Sequence, residues 1–217
     1  GMDFAAARQN MVDCQILPNR VDDQRIVDAL LKIPREKFVP DNLTGIAYVD
    51  ETVPLGGQRY VMEAMVVARL LQAAALNAED VALSIGCGTG YATAVLAQIV
   101  DTVVAVEPDK GLAQKANENL AAIGLDNVAV VEGKLEDGNI DQGPYNVIFF
   151  DGAVQTVPDA ICDQLAEGGR LVAIVAGERV GTAYLYSRFG GVIAKREVFD
   201  AGTPLLPGFR KQKSFVF

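Results

Sequence analysis

The chain has 217 residues, half of them hydrophobic, with 28 acids against 19 bases, no histidine and a formal net charge of −9. That length and apolar content suit one domain with a sizeable core, and no apolar run approaches the roughly 20 residues needed to span a bilayer. An acidic chain without clustered Lys and Arg excludes broad phosphate-backbone binding, and the missing histidine excludes Ser-His hydrolases, histidine general bases and most catalytic zinc sites.

Gly1 ahead of Met2 reads as an expression remnant and is set aside. Phe4 to Gln15 is expected to form a helix that Pro18-Asn19 breaks. Asp22 or Asp23 caps a second helix running to about Lys32, with Ile26, Leu30 and Ile33 on one side. Tyr48-Val49-Asp50, Pro54 and Gly56-Gly57-Gln58 make an irregular segment, and a third helix is expected from about Tyr60 to Leu76.

From Asp80 the pattern alternates. Strand 80–85, helix 90–100, strand 102–107, helix 110–123, strand 128–131, strand 145–150, helix 158–166 and strand 171–175 follow in turn. This is an α/β fold, a doubly wound Rossmann-like sheet, mostly parallel, with helices expected on both faces. Gly190-Gly191 between Thr182–Phe189 and Val192–Phe199 signals a C-terminal antiparallel hairpin, and Lys213 to Phe217 reads as a last short strand.

The stretch Leu83-Ser84-Ile85-Gly86-Cys87-Gly88-Thr89-Gly90-Tyr91 joins the first of these strands to its helix. Strand, glycine-rich turn and helix form the entry to a nucleotide-type cofactor site, where bare backbone and free helix N–H groups meet polar ligand atoms. Glu107 ends the next strand, about 20 residues on, where an acid can accept hydrogen bonds from ribose hydroxyls. A simple turn, with Glu107 and Asp109 serving only the following helix, is the bland alternative. Ligands of open α/β sheets sit beyond the carboxyl ends of the strands, so the 132–138 loop and Asp151 should converge on the same place. A helix cap is the competing role for Asp151. A solvated loop competes at Glu132 and Lys134, and a tolerated small turn residue at Cys87.

A dinucleotide fingerprint puts its third glycine where Tyr91 stands. The G-x-G-x-G spacing, with Glu107, instead resembles the first two motifs of class I S-adenosylmethionine methyltransferases. Ser84 stands where those enzymes usually carry an acid. Beyond these motifs, Arg8 to Ile16 (RQNMVDCQI), Ile33 to Pro40 (IPREKFVP), Tyr48 to Gln58 (YVDETVPLGGQ), Ile85 to Ala97 (IGCGTGYATAVLA) and Val157 to Val172 (VPDAICDQLAEGGRLV) resemble the protein-L-isoaspartate O-methyltransferases. The resemblance spans the chain from its first helices to its last strand. It implies S-adenosylmethionine as methyl donor and damaged aspartyl residues of proteins as acceptor.

On that resemblance one domain covers 2–217, with a helical, acceptor-side part at 2–78 and a cofactor-binding core at 79–217. Ile85, Gly86, Cys87, Gly88, Gly90, Glu107, Lys134, Leu135 and Asp151 are the expected cofactor contacts. Arg59, Tyr60 and Val61 are expected on the acceptor side, with Arg59 placed to clamp an acceptor carboxylate. The family has Thr, an aliphatic residue and a hydroxyl residue there, and an acid where this chain has Lys134. No catalytic side chain and no metal ligand is assigned. A carboxylate acceptor is already ionised at neutral pH and needs no base, so the missing histidine does not hinder its methylation. The expected partner is a protein, a peptide or a small carboxylate, without nucleic acid or membrane. Three widely spaced cysteines suggest no disulfide framework, and a cytoplasmic setting follows. The alternative is a catalytically silent relative kept as a binding or interaction module.

Overall fold

The computed structural model describes residues 1–209. The expected strand from Lys213 to Phe217 lies outside them. In chain order the elements are α1 (Phe4–Met11), α2 (Gln24–Lys32), β1 (Val53–Gly56), β2 (Arg59–Val61), α3 (Ala64–Ala73), β3 (Val81–Ile85), α4 (Tyr91–Ala97), β4 (Thr102–Glu107), α5 (Lys110–Ala122), β5 (Val128–Glu132), β6 (Tyr145–Val154), α6 (Asp159–Cys162), β7 (Leu165–Val175), β8 (Thr182–Phe189) and β9 (Val192–Asp200).

Among the described residues seven strands form one sheet in the order β5-β4-β3-β6-β7-β8-β9. The pairs from β5 to β7 are parallel, and β8 and β9 return antiparallel. The strand order reverses between β3 and β6. The crevice above their carboxyl ends is therefore the topological switch point, the usual ligand position in such sheets.

Helices lie on both faces as expected, but unequally. α2, α3 and α4 bury their apolar sides against Ala82, Val103, Val147 and Phe149. Among the described residues, the opposite face, carrying Leu83, Ile85, Val106, Ile148 and Phe150, is covered by the single turn of α6, a turn at Leu135, and Leu206 and Phe209. The predicted helix 158–166 is cut to Asp159–Cys162 because β7 begins at Leu165. Gly168 (φ +77°) and Gly169 let residues 166–169 bulge within that strand, so that Tyr145 pairs with Leu165 but Val147 with Arg170. A Cβ at Gly169 would lie 2.7 Å from the Ala166 carbonyl oxygen.

Two further boundaries differ. The first helix passes at Val12–Ile16 into a wider, π-type turn. The third helix begins at Ala64, not Tyr60, because residues 59–61 pair as β2 with β1. Gly57 and Gln58 both have positive φ (58° and 62°), the conformation of a two-residue type I′ hairpin. In β2, Arg59 and Val61 point inward and Tyr60 outward, so this small hairpin aims Arg59 at the main sheet.

Candidate active site

Gly86 follows β3 with φ +84°, and its N–H reaches the Val106 carbonyl at 2.9 Å. The turn runs through Cys87, Gly88 and Thr89 to Gly90, whose own φ of +99° starts α4. Ser84 faces α4, its hydroxyl 2.9 Å from that of Thr93, which accounts for a small neutral residue at that buried position.

Glu107 sits at the end of β4 with none of its surface exposed. The Gly88 N–H donates to Oε1 at 2.9 Å and the Asp109 N–H to Oε2 at 3.0 Å. The Arg59 guanidinium donates to both oxygens at 2.7 Å, a bidentate pair, and Arg59 Nη2 also reaches the Gly86 carbonyl at 3.4 Å. A carboxylate offers about four acceptor sites. Glu107 therefore has all of them engaged by the chain itself. Burial alone works against the Arg59 charge, but the hydrogen bonds and charge of Glu107 outweigh it and raise the Arg59 pKa. The sequence placed Arg59 as a clamp for a carboxylate; in the structure the carboxylate it clamps is Glu107.

The glycine turn is covered as well. Leu206 lies so close that a Cβ at Gly86 would sit 2.7 Å from its Cδ2, and one at Gly152 2.6 Å from its Cγ. The segment bearing it is held to the end of β6: the Ala153 N–H donates to Pro204 O and the Leu206 N–H to Ala153 O, at 3.0 and 2.8 Å. β6 outruns β3 by several residues, so its free edge there is open to this pairing. Between Arg59, Asp151, Gly152, Thr203 and Leu206 there remains a cavity of ≈ 10 Å³, about the space of one water. Thr203 Oγ1 is buried without a partner among the described residues, so a water there has a polar group to meet.

The other expected residues divide. Asp151 lies within β6, on the cavity wall; burial, then the opposing effects of Arg59 and Glu107, push its pKa up to about 8. Cys87 is buried, and burial followed by the nearby Glu107 and Asp151 charges raises its thiol far above the thiolate range, which suits a turn residue and not a nucleophile. Leu135 is buried 3.5 Å from the position of a Gly86 Cβ, whereas Lys134 is exposed. Val61 is packed into the helical-face core, and Tyr60, 37% exposed, looks outward. Tyr60 lines an outer cleft of ≈ 530 Å³ with Gly57, Gln58, Pro204, Leu205 and Gly208. Among the described residues no cluster of three His, Cys, Asp or Glu is placed to hold a metal.

Sequence reasoning passed over two residues. Arg35, which the sequence showed only within the stretch IPREKFVP, is buried, donating to Ala47 O at 2.5 Å and Met62 O at 2.9 Å, with its guanidinium 4.7 Å from the Tyr91 ring centre. It ties the start of α4 to the hairpin. Leu206 was unassigned, and no periodicity in its segment could have marked it.

A parallel sheet with its switch point between β3 and β6, a glycine turn after β3 and a carboxylate after β4 define the class I S-adenosylmethionine-dependent methyltransferase fold. The sequence model of the protein-L-isoaspartate(D-aspartate) O-methyltransferase (PCMT) family matches residues 6–198. A protein-L-isoaspartate O-methyltransferase of a Roseiflexus species is 34% identical over 95% of both chains. One from Methanoculleus marisnigri is 38% identical over 77% of this chain and 76% of its own. A solved protein-L-isoaspartate O-methyltransferase superposes with a TM-score of 0.80 at 26% identity, over 93% of this chain and 66% of the other. A Plasmodium falciparum chain described as a beta-aspartate methyltransferase (PCMT), in complex with S-adenosyl-L-homocysteine, shares the fold at a TM-score of 0.78 and 20% identity, over 95% of this chain and 99% of its own. The chain belongs to the PCMT family, whose members are S-adenosylmethionine-dependent methyltransferases.

The residues present do not accommodate that cofactor as arranged. Small-molecule sites measure about 300–1,000 Å³; the cavity between Arg59, Asp151, Gly152 and Leu206 retains ≈ 10 Å³, and the ≈ 390 Å³ pocket beside Thr89, Leu55 and Leu112 lies on the other side of the turn from Leu206 and is not lined by Glu107.

Proposed function

We propose that this chain transfers a methyl group to a carboxylate of a protein or peptide, the altered aspartyl residue named for its family. The observation that carries this reading is the family match over 6–198, which takes in both the amino-terminal part and the turn-plus-Glu107 constellation. The acceptor side lies at the outer cleft beside Tyr60. A carboxylate there is ionised at neutral pH, so the protein's contribution is alignment and exclusion of water. A chain without histidine meets that requirement. No helix among the described residues is long and apolar enough to cross a membrane, and a cytoplasmic, protein-directed role is the setting we assign.

Methyl transfer to an isoaspartyl peptide, followed with labelled donor, tests the reading. Turnover above that of a Glu107→Gln variant is expected. Equal labelling by both proteins would overturn it.

A further inference from the structure

The inference rests on the donor reading above and deepens it. We propose that the donor crevice is closed by a two-part internal plug, in which Arg59 takes the ribose position on Glu107 and Leu206 covers the glycine turn, so that the methyl donor binds only by displacing both.

Arg59 satisfies Glu107 with two short charge-assisted bonds in the planar geometry that suits a carboxylate best. A ribose diol donates two hydrogen bonds to the same oxygens. With the main-chain N–H groups of Gly88 and Asp109 already in place, the sugar and the guanidinium exclude each other. Leu206 contributes sterically. Its side chain fills the space over Gly86 and Gly152 that a ligand needs to reach the bare backbone.

The two parts come from separate elements. Arg59 arrives on the β1–β2 hairpin, and Leu206 on the segment pairing with the end of β6. Both line the same ≈ 10 Å³ cavity, and both border the outer cleft on its far side. An acceptor peptide lying in that cleft touches both carriers. Apparent affinity for a ligand falls in proportion to the fraction of molecules in the competent state. A closed state this well satisfied weakens donor binding without removing a single donor contact.

Titration calorimetry with S-adenosylhomocysteine tests this on the full chain and on Leu206→Ala, Arg59→Thr and the double variant, each first checked for a cooperative melt. The wild type is expected to bind at millimolar level or with no resolved heat. Leu206→Ala and Arg59→Thr should each bind at least about tenfold tighter, and the double variant tighter still. Arg59→Thr leaves Glu107 without its cation and is the variant at risk of not folding. Leu206→Ala leaves every charge paired and decides the matter alone. Micromolar binding by the wild type with no gain in Leu206→Ala overturns the plug and leaves the donor reading intact. No binding by folded Leu206→Ala at millimolar ligand overturns both the plug and the donor reading.

Discussion

Asp151 shows how one residue's surroundings govern stability. Its carboxyl keeps a proton up to about pH 8 in the folded chain, against an ordinary value of 3.8, chiefly because burial penalises the charge. The folded state therefore binds this proton more tightly than the unfolded one. The stability that follows is complete below about pH 4 and is lost as pH rises toward 8. Urea melts of the wild type should show a loss on the order of a few kcal/mol across that window, and Asp151→Asn should flatten the slope. With no histidine in the chain, few other groups titrate there to obscure it. A wild-type stability that rises from pH 5 to 8 would contradict this. Arg35 makes a second case. Replacing it with Met strands the Ala47 and Met62 carbonyls in the interior. A cost of about 2–4 kcal/mol is expected by chemical denaturation. Lys should not rescue it, since one ammonium cannot reproduce a planar fork that reaches two carbonyls and lies over the Tyr91 ring.

At the scale of elements, the β1–β2 hairpin decides where Arg59 goes. Gly57 sits at φ +58° with open space where a Cβ would lie, so the cost of Gly57→Ala is backbone strain alone, about 1–2 kcal/mol. Because this turn sets the register of Arg59, the same variant should loosen the pair with Glu107. A thermal melt and a titration with S-adenosylhomocysteine read the two effects separately; wild-type behaviour in both would mean that the hairpin is held by its flanks. Such short elements were the least legible in the sequence. Residues 102–107 were read to the residue as β4, because a run of Val and Ala between Asp101 and Glu107-Pro108 has one interpretation. α2 was expected from a cap at either Asp22 or Asp23, and Asp23 is the one used; the helix expected over 110–123 is α5, Lys110–Ala122. Residues 60 and 61 were drawn into a helix because Tyr60, Val61 and Met62 lead into a helical apolar repeat, and a strand of three residues is too short to show alternation. The convergence of Gly86, Glu107 and Asp151 followed from the rule for parallel sheets. The partner of Glu107 did not, since a long flexible side chain on a hairpin leaves no trace in periodicity of the residue it reaches. Leu206 was hidden for a similar reason: its role depends on the overhang of β6 beyond β3, a property of the sheet and not of its own segment.

For the molecule as a whole, the two ends of the parallel sheet carry different burdens. At the carboxyl ends, Arg59 pairs with Glu107 and Leu206 lies against Gly86 and Gly152. At the amino ends, Arg170 acts as a bolt. It donates to Asp80 Oδ2 at 2.6 Å and to the carbonyls of Ala74, Ala75 and Asn146, joining the end of α3 to the entries of β3 and β6. None of these partners is shared with Arg59. Removing Arg170 takes from buried Asp80 its hydrogen-bonded ion-pair partner, and Arg170→Ala should cost about 2–3 kcal/mol. Combining Arg170→Ala with Leu206→Ala should then give a stability loss equal to the separate losses within about 0.5 kcal/mol. Affinity for S-adenosylhomocysteine should follow Leu206 alone. Urea denaturation of the four proteins, paired with calorimetry on each, checks both halves. Arg170→Ala by itself tightening the ligand would mean that the bolt and the plug are one cooperative device. The plug would then open through a loosening of the whole sheet and not through local withdrawal of two side chains.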